Sequence, residues 1–236
     1  MHRMRQHVTK AGLTFFFALF FGSQTSADVI QSPGGMTYPE IVGGIDGTQN
    51  FVFDPGSQTG TFQVTTTPFL LKIGPSSSDD VNVTPDGDGI HSQVLNLKLD
   101  SNGHLVTDPG NSYALYGTVS VGGQTYSGLL LRATPTTFGT SGGTTSGFNL
   151  DLKVTGGALA TQIGPELFLS ILPTAGTTFD GNFAKNFSIA IDRVKAWSLN
   201  PPPPIPEPTT LMVLLAGAAG LLIRRRVRIS GADLDD

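Results

Sequence analysis

Cysteine is absent from this 236-residue chain. That excludes disulfide staples, thiol nucleophiles and thiolate metal sites together. Histidine is scarce: of four, His2 and His7 lie near the N-terminus, and only His91 and His104 fall in the body of the sequence. No histidine pair stands at zinc-ligand spacing, and no nucleophile-elbow pattern surrounds a serine. A hydrolase would have to assemble Ser, His and Asp from distant positions. Both histidines neighbour turn residues, in DGIHSQ and SNGHLV, and read as solvated loop residues. Positive charge is also short. Of the 14 Lys and Arg, Arg3, Arg5 and Lys10 precede residue 28, and Arg224, Arg225, Arg226 and Arg228 sit in the tail. The segment between keeps seven, against 14 of the 18 acidic residues, so a basic nucleic-acid-binding surface is excluded.

Glycine (30) and proline (16) are plentiful, and the apolar residues between them recur with a period of two. In FNLDLKV, Phe148, Leu150, Leu152 and Val154 share one face, with Asn149, Asp151 and Lys153 opposite. QVLNLKLD repeats the pattern through Leu95, Leu97 and Leu99, and FSIAI through Phe187, Ile189 and Ile191. Alternation of this kind predicts half-buried strands in antiparallel sheets. YALYGTVSV and TYSGLLLRA flank Gly122-Gly123, which suits a two-residue hairpin turn. Only PELFLSIL (165–172) leaves room for a short helix, and it fits a strand equally well. Thr140 to Ser146 reads as a mobile loop. Residues 28–200 are therefore expected to form one all-β domain, an antiparallel β-sandwich of jelly-roll type, large enough to bury a real core.

The two ends differ from this body. MHRMRQHVTK is basic, AGLTFFFALFFG is apolar, and SQTSA ends in small residues, the layout of a secretory signal peptide. Thr25 and Ala27 suit the −3 and −1 positions, which places cleavage between Ala27 and Asp28 and assigns 1–27 to a leader handed to the secretion translocon. At the other end, residues 201–208 form a Pro-rich linker containing Pro206, Glu207 and Pro208. Residues 209–223 read as a transmembrane helix whose apolar stretch, Leu211 to Ile223, covers only about 20 Å at ~1.5 Å per residue. That is short for a ~30 Å hydrocarbon core. The basic cluster Arg224, Arg225, Arg226 and Arg228 follows in 224–236 and is expected to stay cytoplasmic. The precursor is thus expected to be exported and single-pass, held in the membrane by its C-terminal helix.

The segment IPEPTTLMVLLAGAAGLLIRRR resembles the PEP-CTERM sorting signal of exported bacterial proteins. Pro206, Glu207 and Pro208 match its motif, Leu211 to Ile223 its span, and Arg224 to Arg226 its basic cluster. The resemblance implies recognition and cleavage near the motif by an exosortase, a membrane cysteine transpeptidase, and association with bacteria that make extracellular polysaccharide. Independently of it, flanking prolines keep Glu207 extended, the backbone form that peptide-cleaving enzymes bind. The four prolines at 201–204 favour a polyproline II spacer.

Within the domain, Asp79, Asp80, Asp86 and Asp88 fall in SSSDDVNVTPDGDGIHS. Calcium takes several hard oxygen ligands from such a loop. DGDG is only a fragment of a calcium-loop pattern, and Asp-Gly pairs are ordinary turn formers, so Ca2+ stands as a secondary reading and no other cofactor is expected. Trp197, Tyr38, Tyr113, Tyr116 and Tyr126 could offer a stacking platform for sugars, although alternation places most of the tyrosines in the core. Thr-rich stretches show no regular ice-binding spacing. The sequence therefore points to an exported, non-enzymatic surface or matrix protein, with a carbohydrate-, calcium- or ice-binding module as the alternative and a secreted hydrolase behind it.

Overall fold

The alternating segments form antiparallel ladders. The computed structural model describes residues 27–35, 37–44, 46–142, 147–176 and 179–201. In chain order the first strands are β1 (Glu40–Gly43), β2 (Thr48–Asp54), β3 (Thr59–Thr66), β4 (Pro68–Lys72) and β5 (Asp80–Asn82). They are followed by β6 (Ser92–Asp100), β7 (Ser112–Val121), β8 (Gln124–Pro135), β9 (Gly139–Thr140) and β10 (Phe148–Gly156). A single turn of helix, α1 (Ala160–Ile163), precedes β11 (Glu166–Pro173) and β12 (Phe187–Ser198).

Pairing runs β11-β10-β8-β7-β6-β3-β2-β12, and β12 pairs back onto β11, so these strands close on themselves. Closure leaves no open ladder edge along the ring. One edge of β12 serves two neighbours: Phe187 to Ala190 pair with β2, and Val194 to Trp197 pair with β1. β1 carries β4, and β4 carries β5, as a branch. Thr84, just past β5, ties that branch back to Thr118 of β7 through two backbone hydrogen bonds of 3.0 and 2.7 Å. The expectation of an antiparallel all-β domain holds. The two faces expected of a sandwich are here linked by continuous ladders, because long strands such as β12 change partners along their length.

The ring interior is the core. Leu95, Leu97 and Leu99 of β6 are buried, as are Phe148, Leu150 and Leu152 of β10, while Lys98 and Lys153 point outward. Phe51, Phe62, Phe138, Phe148, Phe179, Phe183 and Phe187 form a continuous aromatic cluster with ring centroids 4.7 to 6.4 Å apart. Each such contact contributes about 0.5–1.5 kcal/mol beyond area burial. The Gly122-Gly123 turn closes the β7–β8 hairpin with φ of +59° and +78°, which only glycine adopts freely. Residues 166–173 are a strand: Leu167, Leu169 and Ile171 are buried on one face, a period of two. The short helix lies just ahead of them and stops at Gly164, whose φ is +94°.

Candidate functional site

The end of β12 is where the fold delivers the C-terminal tail. Ser198 N–H donates to the Pro39 carbonyl at 3.1 Å, and Leu199 N–H donates to the Glu166 carbonyl at 3.0 Å. Thr37 Oγ1 donates to the Ser198 carbonyl, and Asn200 Nδ2 donates to Glu166 Oε2 at 2.6 Å. Because β12 is flanked by β11 and β1 along this stretch, the chain is held on both sides up to Asn200. The proline linker starts one residue later. Pro206, Glu207, Pro208, Leu211 to Ile223 and Arg224, Arg225, Arg226 and Arg228 lie outside the described residues. Among the described residues no helix is long and apolar enough to cross a membrane.

The N-terminal end of the domain is also stitched down. Asp28 O accepts from Thr140 N–H at 2.8 Å, Ile30 N–H donates to Thr140 O at 2.9 Å, and Asn149 Nδ2 donates to Ile30 O at 2.6 Å. Asn149 is buried for this reason, although alternation placed it on the outer side. Ala27, read as the last leader residue, is 3% exposed and packs into the core beside Gly103 and Phe183. The site expected between Ala27 and Asp28 therefore falls at a residue the fold uses.

On the outer face of β10, β11, β12, β1, β4 and β5, cross-strand registers line up Asp151, Phe168, Trp197, Glu40, Lys72 and Asp80. Directly paired residues share a face and touch. Phe168 and Trp197 pack with ring centroids 4.9 Å apart. Lys195 Nζ lies 2.9 Å from Glu40 Oε1, with the glutamate side chain 1% exposed and the lysine 25%. The approach is close, yet no well-directed hydrogen bond reaches either Glu40 oxygen, and Trp197 Nε1 also has no partner. Beside this row is a groove of about 330 Å³ lined by Thr136, Asp151, Leu152, Lys153, Glu166 and Leu199. Thr137 Oγ1 donates to Asp151 Oδ2 at 2.8 Å and accepts from Asp151 N–H at 2.9 Å, which fixes the carboxylate. The groove lining thus includes two carboxylates, Asp151 and Glu166, and the Lys153 ammonium, with Asp151 engaged by Thr137 and Glu166 by Asn200.

The four aspartates of the calcium reading are not brought together. Asp79 completes a capping box with Ser76 on a 3-10 turn, Asp80 opens β5, and Asp86 Oδ1 accepts from Asp88 N–H and Ile90 N–H in a local turn. Among the described residues no group of three or more His, Asp or Glu side chains is placed to hold a metal ion. His104 Nδ1 meets Asp100 Oδ2 at 3.1 Å in the turn after β6. Partial burial works against the Asp100 carboxylate, but the His104 backbone N–H and ring and the Asn102 N–H outweigh it and hold its pKa below the usual range. His91 Nε2 is enclosed without a partner, and among the described residues neither imidazole bonds to a serine. Two of the aromatics considered for a sugar platform lie on different faces: Tyr113 is fully buried in the ring interior, where burial pushes its phenol pKa up, and Trp197 faces the opposite way against Phe168, while Tyr38, Tyr116 and Tyr126 are half-buried. Glu40, Lys195 and the groove were not found from the sequence. A Glu opening EIVG, flanked only by apolar residues, was the available signal.

The architecture is that of an all-β domain whose named strands pair antiparallel, with the C-terminal segment following directly on β12. Residues 204–226 of that tail match the PEP-CTERM protein-sorting motif. The chain carries the signal of exported proteins sorted through an exosortase. No curated protein and no solved structure matches the chain.

Proposed function

We propose that this chain is an exported, single-pass precursor whose tail is cleaved at Pro206-Glu207-Pro208 by an exosortase-like transpeptidase. A leader directs it through the secretion translocon, and the mature β-domain acts as a structural or adhesive, non-enzymatic component of the cell surface or its extracellular polysaccharide. The carrying observation is the sorting motif beginning at residue 204, four residues past Asn200. The clasp of Asn200 on Glu166 supports the reading, because the domain's contacts run to Asn200 and leave only a short Pro-rich stretch of sequence before the cleavage motif. Glu207 and its prolines serve as substrate residues, and Arg224 to Arg226 stop transfer on the cytoplasmic side. Replacing Pro206, Glu207 and Pro208 by alanine is expected to leave a membrane-retained precursor of full C-terminal length. Normal processing of that variant would overturn the reading.

A carbohydrate-binding role for the mature domain is the second reading, favoured by the groove of Asp151, Lys153 and Glu166. It predicts glycan-array binding that Asp151→Asn and Glu166→Gln abolish. Flat arrays for the parent protein remove it.

A further inference from the structure

Two Asn-X-Ser/Thr triplets without proline at X occur in the chain, Asn82-Val83-Thr84 and Asn186-Phe187-Ser188. This is the acceptor pattern for N-linked sugars, which belong on an exposed surface. The fold treats the two triplets differently. Asn82 is the last residue of β5, and among the described strands β5 pairs in a ladder only with β4, at the end of the branch. Asn186 immediately precedes β12, in the middle of the closed ring.

Strand alternation sets the geometry at Asn82. Val83 is 4% exposed and joins the core cluster, which turns Asn82 and Thr84 outward together, and both are exposed. Backbone bonds hold the triplet: Val83 N–H donates to Phe69 O at 3.0 Å, and Thr84 exchanges its two bonds with Thr118. None of them uses the Asn82 side chain, and among the described residues its amide has no hydrogen-bond partner. Thr84 Oγ1 makes one long bond, to Thr118 O at 3.3 Å. Asp80, two residues earlier on the same strand face, puts a carboxylate beside the acceptor, where the second triplet has Ala184. In that second triplet Asn186 Oδ1 accepts from Phe53 N–H at 2.7 Å, Ser188 Oγ donates to Asn50 Oδ1 at 2.5 Å, and Phe187 packs into the aromatic cluster. The amide and hydroxyl that a transferase must engage are used by the fold at Asn186 and left to solvent at Asn82.

We propose that Asn82 is an N-glycosylation site of the exported chain and that Asn186 is left bare. The co-substrate is an oligosaccharide carried on a lipid diphosphate. The Asn82 amide nitrogen attacks the anomeric carbon of the first sugar. The new C–N bond replaces the C–O bond to the diphosphate, which leaves with the electron pair, and the amide proton passes to a base of the transferase. A lipid-carried donor is met as the chain crosses the membrane, so the proposal rests on the export reading above. A bulky, hydrated sugar beside the outer edge of β5 would block pairing of that edge with another chain.

The test is peptide mapping by mass spectrometry of the protein extracted from its native host, with electron-transfer fragmentation to place any added mass and the N-terminal peptide read in parallel. A saccharide mass on Asn82 and none on Asn186 is expected. Thr84→Ala should abolish it, and Thr84→Ser should keep it, which separates acceptor chemistry from an effect on folding. Bare Asn82 on a chain that has lost residues 1–27 overturns the proposal while export stands. Bare Asn82 on a chain that keeps them overturns both. Unchanged occupancy of Asn82 in Thr84→Ala would also refute the assignment.

Discussion

Removing Lys195 should damage this domain far more than removing its partner. Glu40 is 1% exposed and Lys195 is 25% exposed. Lys195→Met leaves a carboxylate enclosed between Trp197 and Lys72 in register, with both oxygens shielded from solvent and the ammonium at 2.9 Å gone. Breaking a buried pair in this way costs about 3–5 kcal/mol. Glu40→Gln keeps the shape and leaves the lysine, whose head reaches water, so its cost is only about 1–2 kcal/mol. For a domain of this size each kcal/mol moves Tm by about 2–4 °C. The expected falls are roughly 6–20 °C for Lys195→Met and roughly 2–8 °C for Glu40→Gln. The double variant Glu40→Leu with Lys195→Met should return to within about 2 kcal/mol of the parent, because a well-packed apolar pair replaces a buried ionic one at little cost. Differential scanning calorimetry of the four proteins gives the cycle. Equal losses for the two single variants, or a double variant as poor as Lys195→Met, would refute the account of this face.

Three further outcomes follow from the geometry. The Asp100 pKa is held below the ordinary value, so its stabilisation is complete above that value and is lost as pH falls through the folded pKa; Tm of the parent should drop more steeply than that of Asp100→Asn between roughly pH 4 and pH 2, and parallel curves would count against it. Gly157→Ala should lower Tm by at least about 4 °C, since φ is +108° and the new Cβ would lie 2.5 Å from Leu131 Cα and 2.6 Å from Leu130 O, backbone atoms that cannot step aside. A chain beginning at Asp28 should be about 1 kcal/mol less stable in urea than one beginning at Ser26, because Ala27 packs against Phe183 and Gly103; identical denaturation midpoints would show that Ala27 is dispensable.

Much of the ring was legible because its strands are buried on one face only. Leu95, Leu97, Leu99, Phe148, Leu150 and Leu152 alternate with polar residues, and every one of them faces the core. The hairpin at Gly122-Gly123 was legible because the turn demands positive φ twice in succession. The aromatic cluster was less so. Phe138, Phe179 and Phe183 come from irregular segments between strands, where no periodicity marks the inward direction. β1 was missed for a different reason: Glu40 to Gly43 are buried on both faces, so EIVG shows no alternation. Ring closure depends on β12 pairing with β2 at one end and β11 at the other, and the β1 branch on a third pairing of the same strand, a long-range arrangement that no local pattern encodes. The sorting motif was fully legible, because its three parts are consecutive in sequence and act through order and composition rather than through tertiary contacts.

Intact-mass analysis of the protein extracted from the surface of its native host tests the central claim most directly. The account predicts a species that lacks both the leader and residues 209–236, ending at or near Pro206-Glu207-Pro208. A mass that still includes Thr209 to Asp236 would contradict it and leave an uncleaved membrane anchor in its place.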